Sequence, residues 1–288
     1  MRPILAELLE LLRLEAIEEN LYRGQSQDLG WGVVFGGQVL GQALSAAMRT
    51  VPEGRMVHSM HGYFLRQGDV RRPIVYTVDR IRDGKSFTTR RVVAVQRGHA
   101  IFSMSASFQV DEGGYEHQGA MPVVPGAETL ESEASLARSR IDRIPEPLRA
   151  QAIAERPIEI RPVEPYDPTH PVVKEARRSV WVRAVDPLPD DPALHRYLLA
   201  YASDFHLLGT AMQPHGVSWL TPGMQVASLD HAMWFHRPFR MDDWLLYAME
   251  SPSASGGRGL IRGQFFDRDG RLVASTAQEG LMRRWAGA

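Results

Sequence analysis

GKSFTTRRVVAVQRGHAIFSMS, residues 84–105, and GGRGLIRGQFFDRDGRLVASTA, residues 256–277, read as one pattern written twice. Each is a pair of strand-forming runs, rich in Val, Ile, Phe and Thr, folded about a glycine turn, QRGH in the first and DRDG in the second. Gly98 and Gly270 of those turns are 172 residues apart, as are Gly84 and Gly256, Arg90 and Arg262, and Ser103 and Ser275. Just outside the hairpins, Phe64 and Arg66 match Phe235 and Arg237 at an offset of 171. Offsets that hold in order across separate strand pairs mark an internal duplication.

Working outward, each copy gains a helix and further strands. VLGQALSAAMRTV (39–51) has the small and apolar residues of a buried helix, and MVHSMHGYFLRQGD (56–69) follows it as a strand. In the second copy IEIRPVEP (158–165) and RRSVWVRAVD (177–186) read as strands, residues 192–212 as one helix, and QVASLDHAMWFHRPF (225–239), DDWLLYAMES (242–251), GRGLIRGQFFD (257–267) and RLVASTAQEGLMR (271–283) as strands again. The predicted organisation is an N-terminal helix and first unit over 1–110, a Pro-, Glu-, Gly- and Ser-rich connector over 111–157, and a second unit over 158–288. Such units are α+β, a long helix laid on a curved antiparallel sheet, and two of them pairing edge to edge would hide two open sheet edges.

Composition narrows the function. The 288 residues are 44% hydrophobic and 23% charged, with 33 basic against 34 acidic side chains and a formal net charge of −1. That balance gives no electrostatic basis for a nucleic-acid or membrane-surface partner and points to a small molecule. Cysteine is absent, which excludes disulfides, thiolate nucleophiles and Cys-bearing metal sites and suits a reducing, cytoplasmic setting. Acids at 7, 10, 15, 18 and 19 interrupt the apolar core that a signal peptide needs. Leu5, Leu8, Leu9 and Leu12 instead follow helical spacing, an amphipathic helix docked on its own chain or on a neighbouring subunit. No run of 18 apolar residues occurs, so no membrane span is expected. G-x-S-x-G, H-E-x-x-H, Walker and G-x-G-x-x-G signatures are all missing.

One acid stands alone. In LLAYASDFHLLGTAM (198–212) Asp204 is the single formally charged side chain between Tyr197 and Gln213, and residue chemistry leaves two roles open, helix cap or general base. GGQVLGQAL (36–44), SMHGYFLRQGD (59–69), SLDHAMWFHRPFRMDDWLLY (228–247) and STAQEGLMR (275–283) together resemble the acyl-CoA thioesterase II, or TesB-type, family, over about residues 20 to 284. The resemblance implies a double hotdog fold and hydrolysis of fatty acyl-CoA to free acid and coenzyme A in lipid metabolism, without metal or prosthetic group. The family's catalytic Asp, Ser or Thr, and Gln fall here on Asp204, Ser228 and Gln278.

The chemistry suits those residue types: a carboxylate to take a proton from water, and a hydroxyl and an amide to hold that water. Backbone N–H groups near Gly36 and Gly37, at the start of the first helix, are a plausible source of donors for the oxyanion. The repeat offsets set Ser228 opposite Val57 and Gln278 opposite Ala106, and a looser helix alignment sets Asp204 opposite Ser45. One reaction centre per chain follows, where the halves meet. His58, His231 and His236 read as structural, and Arg66, Arg90, Arg91 and Arg237 as either contacts for the CoA phosphates or solvated charges. Two other readings stay open: a non-catalytic acyl-CoA-binding protein, and an enoyl-CoA hydratase, which calls for an Asp and His pair. A homo-oligomer, dimer or tetramer, is expected.

Overall fold

The computed structural model describes residues 1–285. The first half comprises α1 (Pro3–Leu12), β1 (Glu15–Glu18), β2 (Leu21–Gly24), α2 (Gly36–Met48), β3 (Arg55–Phe64), β4 (Ile74–Asp83), β5 (Phe87–Gln96) and β6 (His99–Val110). Two short helices follow, α3 (Glu133–Ser139) and α4 (Glu146–Ile153). The second half holds β7 (Ile158–Pro162), β8 (Arg177–Ala184), α5 (Pro192–Ser203), α6 (Leu207–Met212), β9 (Met224–Ser228), β10 (Asp230–Phe235), β11 (Leu245–Ser255), β12 (Arg258–Phe266) and β13 (Leu272–Arg284). All thirteen strands join one antiparallel sheet in the order β1-β2-β4-β5-β6-β3-β10-β13-β12-β11-β8-β7, with β9 also paired to β13. The halves meet where β3 pairs with β10, Met60 facing Met233 and His61 facing Ala232, so neither strand leaves an open edge at the join.

The duplication is visible bond for bond. Arg66 donates from Nη1 to the Ala100 carbonyl at 2.8 Å, and Arg237 from Nη1 to the Leu272 carbonyl at 2.9 Å. Gly98 and Gly270 occupy their turns at φ of 76° and 79°, a backbone region that glycine enters without a Cβ clash. One expected match fails. The β5–β6 turn closes between Gln96 and His99, whereas the β12–β13 loop runs from Phe266 to Leu272, and the longer loop shifts β12 by one residue relative to the sequence offset. In a strand a one-residue shift turns every side chain over. Arg90 therefore points inward, fully buried, and its structural counterpart is buried Ile261 rather than Arg262, which is exposed.

The helices pack because α2 is built from small residues. A β-carbon at Gly37 would stand 2.2 Å from the Tyr201 carbonyl oxygen, and one at Gly41 3.0 Å from that of Tyr197. α2 and α5 thus touch backbone to backbone, with the N-terminus of one beside the C-terminus of the other. α1 docks on its own chain through buried Leu5, Leu8 and Leu12, and its Leu11 carbonyl accepts from Gln42 Nε2 at 2.6 Å. The buried Gln42 is completed by the Tyr76 hydroxyl, which donates to Oε1 at 2.7 Å.

Three local features depart from the sequence reading. The helix expected over 192–212 is broken between α5 and α6, where His206 takes a left-handed φ of 69°. The strand expected over 225–239 is divided, β9 ending at Ser228 and β10 starting at Asp230. Residues expected only to connect the halves lie on the second one: Gln118 Oε1 accepts from the Leu272 N–H at 3.0 Å, and the Pro125 carbonyl from Trp181 Nε1 at 2.9 Å.

Because the atom that a Gly37 methyl would strike is backbone, neither helix can relieve the clash by a rotamer change. Gly37→Ala is expected to destabilise the fold by about 3 kcal/mol, read as a lower urea midpoint at unchanged slope.

Candidate active site

Asp204, Ser228 and Gln278 come from three elements and converge. Asp204 follows the last residue of α5, Ser228 ends β9, and Gln278 lies on β13. Ser228 Oγ donates to Asp204 Oδ1 at 3.2 Å, and Gln278 Nε2 donates to Ser228 Oγ at 2.9 Å. The bend at His206 turns α6 away and leaves the Asp204 carboxylate on a wall rather than inside a helix. Asp204 does not cap α6, whose first turn has no side-chain cap.

A fourth residue continues the relay. His231 Nδ1 lies 2.6 Å from Gln278 Oε1, and His231 Nε2 lies 2.9 Å from Ser203 Oγ. Burial holds the imidazole pKa below its usual value, so the ring is neutral near pH 7 and carries one N–H. Gln278 Oε1 can only accept, which puts the proton on Nδ1, and the one Ser203 hydroxyl proton is shared between Nε2 and the Ala200 carbonyl, each 2.9 Å away. The amide of Gln278 is thereby fixed with its N–H toward Ser228. From sequence His231 reads as packing. Its signal was its place on the inward face of β10 beside Met233 and Phe235, and the repeat gives Met60 at the matching position. His236, five residues on, faces the opposite side and meets Ser275 Oγ at 2.9 Å.

The other wall of the site is the start of α2. A β-carbon at Gly36 would lie 2.6 Å from Asp204 Oδ2, so only glycine admits the carboxylate there. No side chain caps α2, and among the described residues the Gly36 and Gly37 amides have no hydrogen-bond acceptor. Uncapped first-turn amides carry partial positive charge. The corner that holds Asp204 is pinned from behind by Tyr247, whose hydroxyl donates to the Ser203 carbonyl at 3.0 Å and meets Thr276 Oγ1 at 2.9 Å.

Asp204 also lines a cavity of about 630 Å³, walled by apolar side chains including Trp31, Phe35, Leu136, Ile158 and Met212 and roofed by α3 and α4. Ser228 and Gln278 stand behind Asp204 rather than in that wall. In the first half the matching positions are apolar and buried, Val57, Ala106 and Met60. His58 joins no relay; its Nε2 meets Ser107 Oγ at 2.8 Å. The four arginines considered for phosphate contact are held within the sheet or its turns. Arg66 and Arg237 tie down carbonyls, Arg90 meets Thr50 and Asp83, and Arg91 pairs with Asp79 at 2.6 Å.

Comparison with known proteins agrees with this architecture. The family model for acyl-CoA thioesterase matches residues 147–281, and that for the acyl-CoA thioesterase N-terminal domain matches residues 26–109. The chain is 46% identical over 283 residues to acyl-CoA thioesterase 2 of Haemophilus influenzae, covering 98% of this chain and 99% of that protein. It is 43% identical to human acyl-coenzyme A thioesterase 8, covering 95% and 88%. The crystal structure of an acyl-CoA thioesterase II, TesB2, from Mycobacterium marinum superposes with a TM-score of 0.79 at 44% identity, covering 98% of this chain and 99% of that one. The paired helix-and-sheet halves are the double hotdog fold, and the chain belongs to the acyl-CoA thioesterase family.

Proposed function

We propose that this acyl-CoA thioesterase cleaves its substrate at Asp204, by water rather than through an acyl-enzyme. The observation that carries the reading is the division of labour on one carboxylate. Oδ1 is taken by the Ser228 hydroxyl, while Oδ2 faces Gly36 and the uncapped start of α2. A water on Oδ2 stands beside a thioester carbonyl whose oxygen rests on the Gly36 and Gly37 amides. Asp204 takes one proton as the water oxygen bonds to the carbonyl carbon. The two amides stabilise the oxyanion. Collapse breaks the C–S bond, and the proton passes to the departing thiolate, giving free acid and coenzyme A. Ser228 accepts from Gln278 and donates to Asp204, so its proton is committed to orienting the base. No histidine lies on Ser228 to activate it as a nucleophile.

A hydratase reading requires an acid and a histidine acting together on one substrate atom. Asp204 and His206 both line the cavity, but His206 Nε2 turns toward Glu133, 3.3 Å away, and His231 is buried behind Gln278. A purely binding role gives no reason to aim a carboxylate at an uncapped helix start, where any bound carbonyl oxygen would rest. Fatty acyl chains suit the apolar cavity walls. The reading extends to a cytoplasmic protein, supported by the cysteine-free sequence, and to a homo-oligomer. Self-association is supported by the outer face of the β3–β10 seam, where Tyr63 is 64% and Trp234 36% exposed.

Asp204→Asn removes the proton acceptor at nearly constant volume, and kcat for thiol release is expected to fall on the order of 10²-fold or more with KM little changed; near-normal turnover refutes the base assignment. Ser228→Ala is expected to keep about a tenth of the rate, and a trapped acyl-enzyme in the unaltered protein would reassign Ser228 as nucleophile. His231→Met copies the residue found in the first half, so the sheet is expected to fold while kcat drops about 10-fold with KM held. His231→Asn, which keeps a donor for Gln278, is expected to recover part of that loss; equal rates for the two variants would reduce His231 to packing.

A further inference from the structure

The cavity that Asp204 lines is apolar over most of its wall, but one end is not. Arg178 reaches it from the start of β8 with a side chain only 6% exposed. Among the described residues its guanidinium donates no hydrogen bond, and its Nε is buried without a partner. The nearest carboxylate oxygen, Glu133 Oε1, is 3.9 Å from Nη2, beyond hydrogen-bond reach. The guanidinium lies 4.8 Å over the Tyr166 ring, and the buried Tyr166 hydroxyl has only the Ser218 hydroxyl beside it, outside good hydrogen-bond geometry. A buried Nε–H without an acceptor is costly in a low-dielectric wall, and the rest of the guanidinium lines the cavity. Native interiors rarely leave such groups unmet.

We infer that Arg178 and the Tyr166 hydroxyl form an acceptor subsite for a neutral oxygen, a hydroxyl or keto group, carried partway along the acyl chain of the substrate. This rests on the reading that the cavity takes the acyl chain of the thioester cleaved at Asp204. The oxygen is neutral because the charged residues lining the cavity already cancel: Arg140, Arg156 and Arg178 against Glu133, Asp167 and Asp204. A carboxylate would add an unbalanced charge beside Glu133 and Asp204. A hydroxyl can accept from Arg178 and donate to Glu133.

Its place is set by α6. A β-carbon at Gly209 would lie 3.2 Å from Arg178 Nη1, and Gly209, on the far side of the His206 bend from Asp204, lines the same cavity, which sets the oxygen beyond the first carbons of the chain.

The test compares thiol release from decanoyl-CoA, from whichever of 4-, 6- and 8-hydroxydecanoyl-CoA is cleaved fastest, and from a decanoyl-CoA bearing a terminal carboxylate. An entirely apolar tunnel would disfavour the hydroxylated chain by about 10-fold or more. Here the unaltered protein is expected to show a kcat/KM for it at least equal to that for the plain chain. Tyr166→Phe, which removes one oxygen and is expected to fold, should lower that hydroxyl-to-plain ratio about 5-fold, and Arg178→Met further. A ratio below one tenth in the unaltered protein, a ratio unmoved in Tyr166→Phe, or a preference for the carboxylate over the hydroxyl overturns the assignment. So does weaker inhibition of Tyr166→Phe by free coenzyme A, which would give these donors to the pantetheine arm. Absence of thiol release from every substrate would instead sink the thioesterase reading beneath it.

Discussion

The close approach of α2 to α5 governs the rest of the molecule. Gly37 lies against the Tyr201 carbonyl at a distance that no larger residue permits, and Gly41 lies against that of Tyr197, where a β-carbon would be a tight 3.0 Å away. Because the helices run in opposite senses, this contact brings the positive start of α2 to the end of α5, where the chain bends and presents Asp204. A carboxylate placed at that helix start gains electrostatically, and Gly36 leaves room for it. The packing that holds the halves together is therefore also what assembles the site, and a site so built cannot exist in either half alone.

Duplication explains why the described residues hold one such arrangement. The inward positions of the first half are filled by Val57, Met60 and Ala106, all buried, and they contribute to the core by the ordinary burial of apolar area. At the matching places the second half carries Ser228, His231 and Gln278. Burying those polar groups is tolerable only if every donor and acceptor is met. The chain from Ser203 through His231, Gln278 and Ser228 to Asp204 pairs each of these side chains with the next and ends at the second carboxylate oxygen of Asp204. Specialising one copy let the other remain an apolar support.

The strand pairs, the duplication and the N-terminal helix were legible because they rest on periodicity and on turn glycines at fixed intervals, which a sequence displays directly. Asp204 was legible for the opposite reason, as a charge that violates its apolar surroundings, and its two companions came from resemblance. The slip of β12 relative to the offset was not legible, since a longer loop changes facing without changing composition, and Arg262 looks as good a partner for Arg90 as Ile261. The break at His206 was hidden too: a left-handed histidine is a conformation imposed by packing, and the flanking residues all suit a helix. His231 was missed because its role depends on which nitrogen meets which oxygen, a matter of three-dimensional partners rather than residue type.

The segment of least regular structure covers the cavity in which the proposed reading places the acyl chain. α3 and α4 supply Leu136 and Ala152 to the cavity, while Gln151 Nε2 donates to the Leu29 carbonyl at 2.6 Å, tying the roof to the loop that leads into α2. Each methylene sealed beneath that roof contributes about 0.8 kcal/mol of transfer free energy, and such remote binding can be used to hold the thioester against Asp204. On that reading changes in the roof alter the accepted chain without disturbing the relay, whose members lie on α5, β9, β10 and β13 and at Asp204 just past α5. Chemistry and selectivity occupy different parts of the sequence, and Asp204, facing both, is where they join.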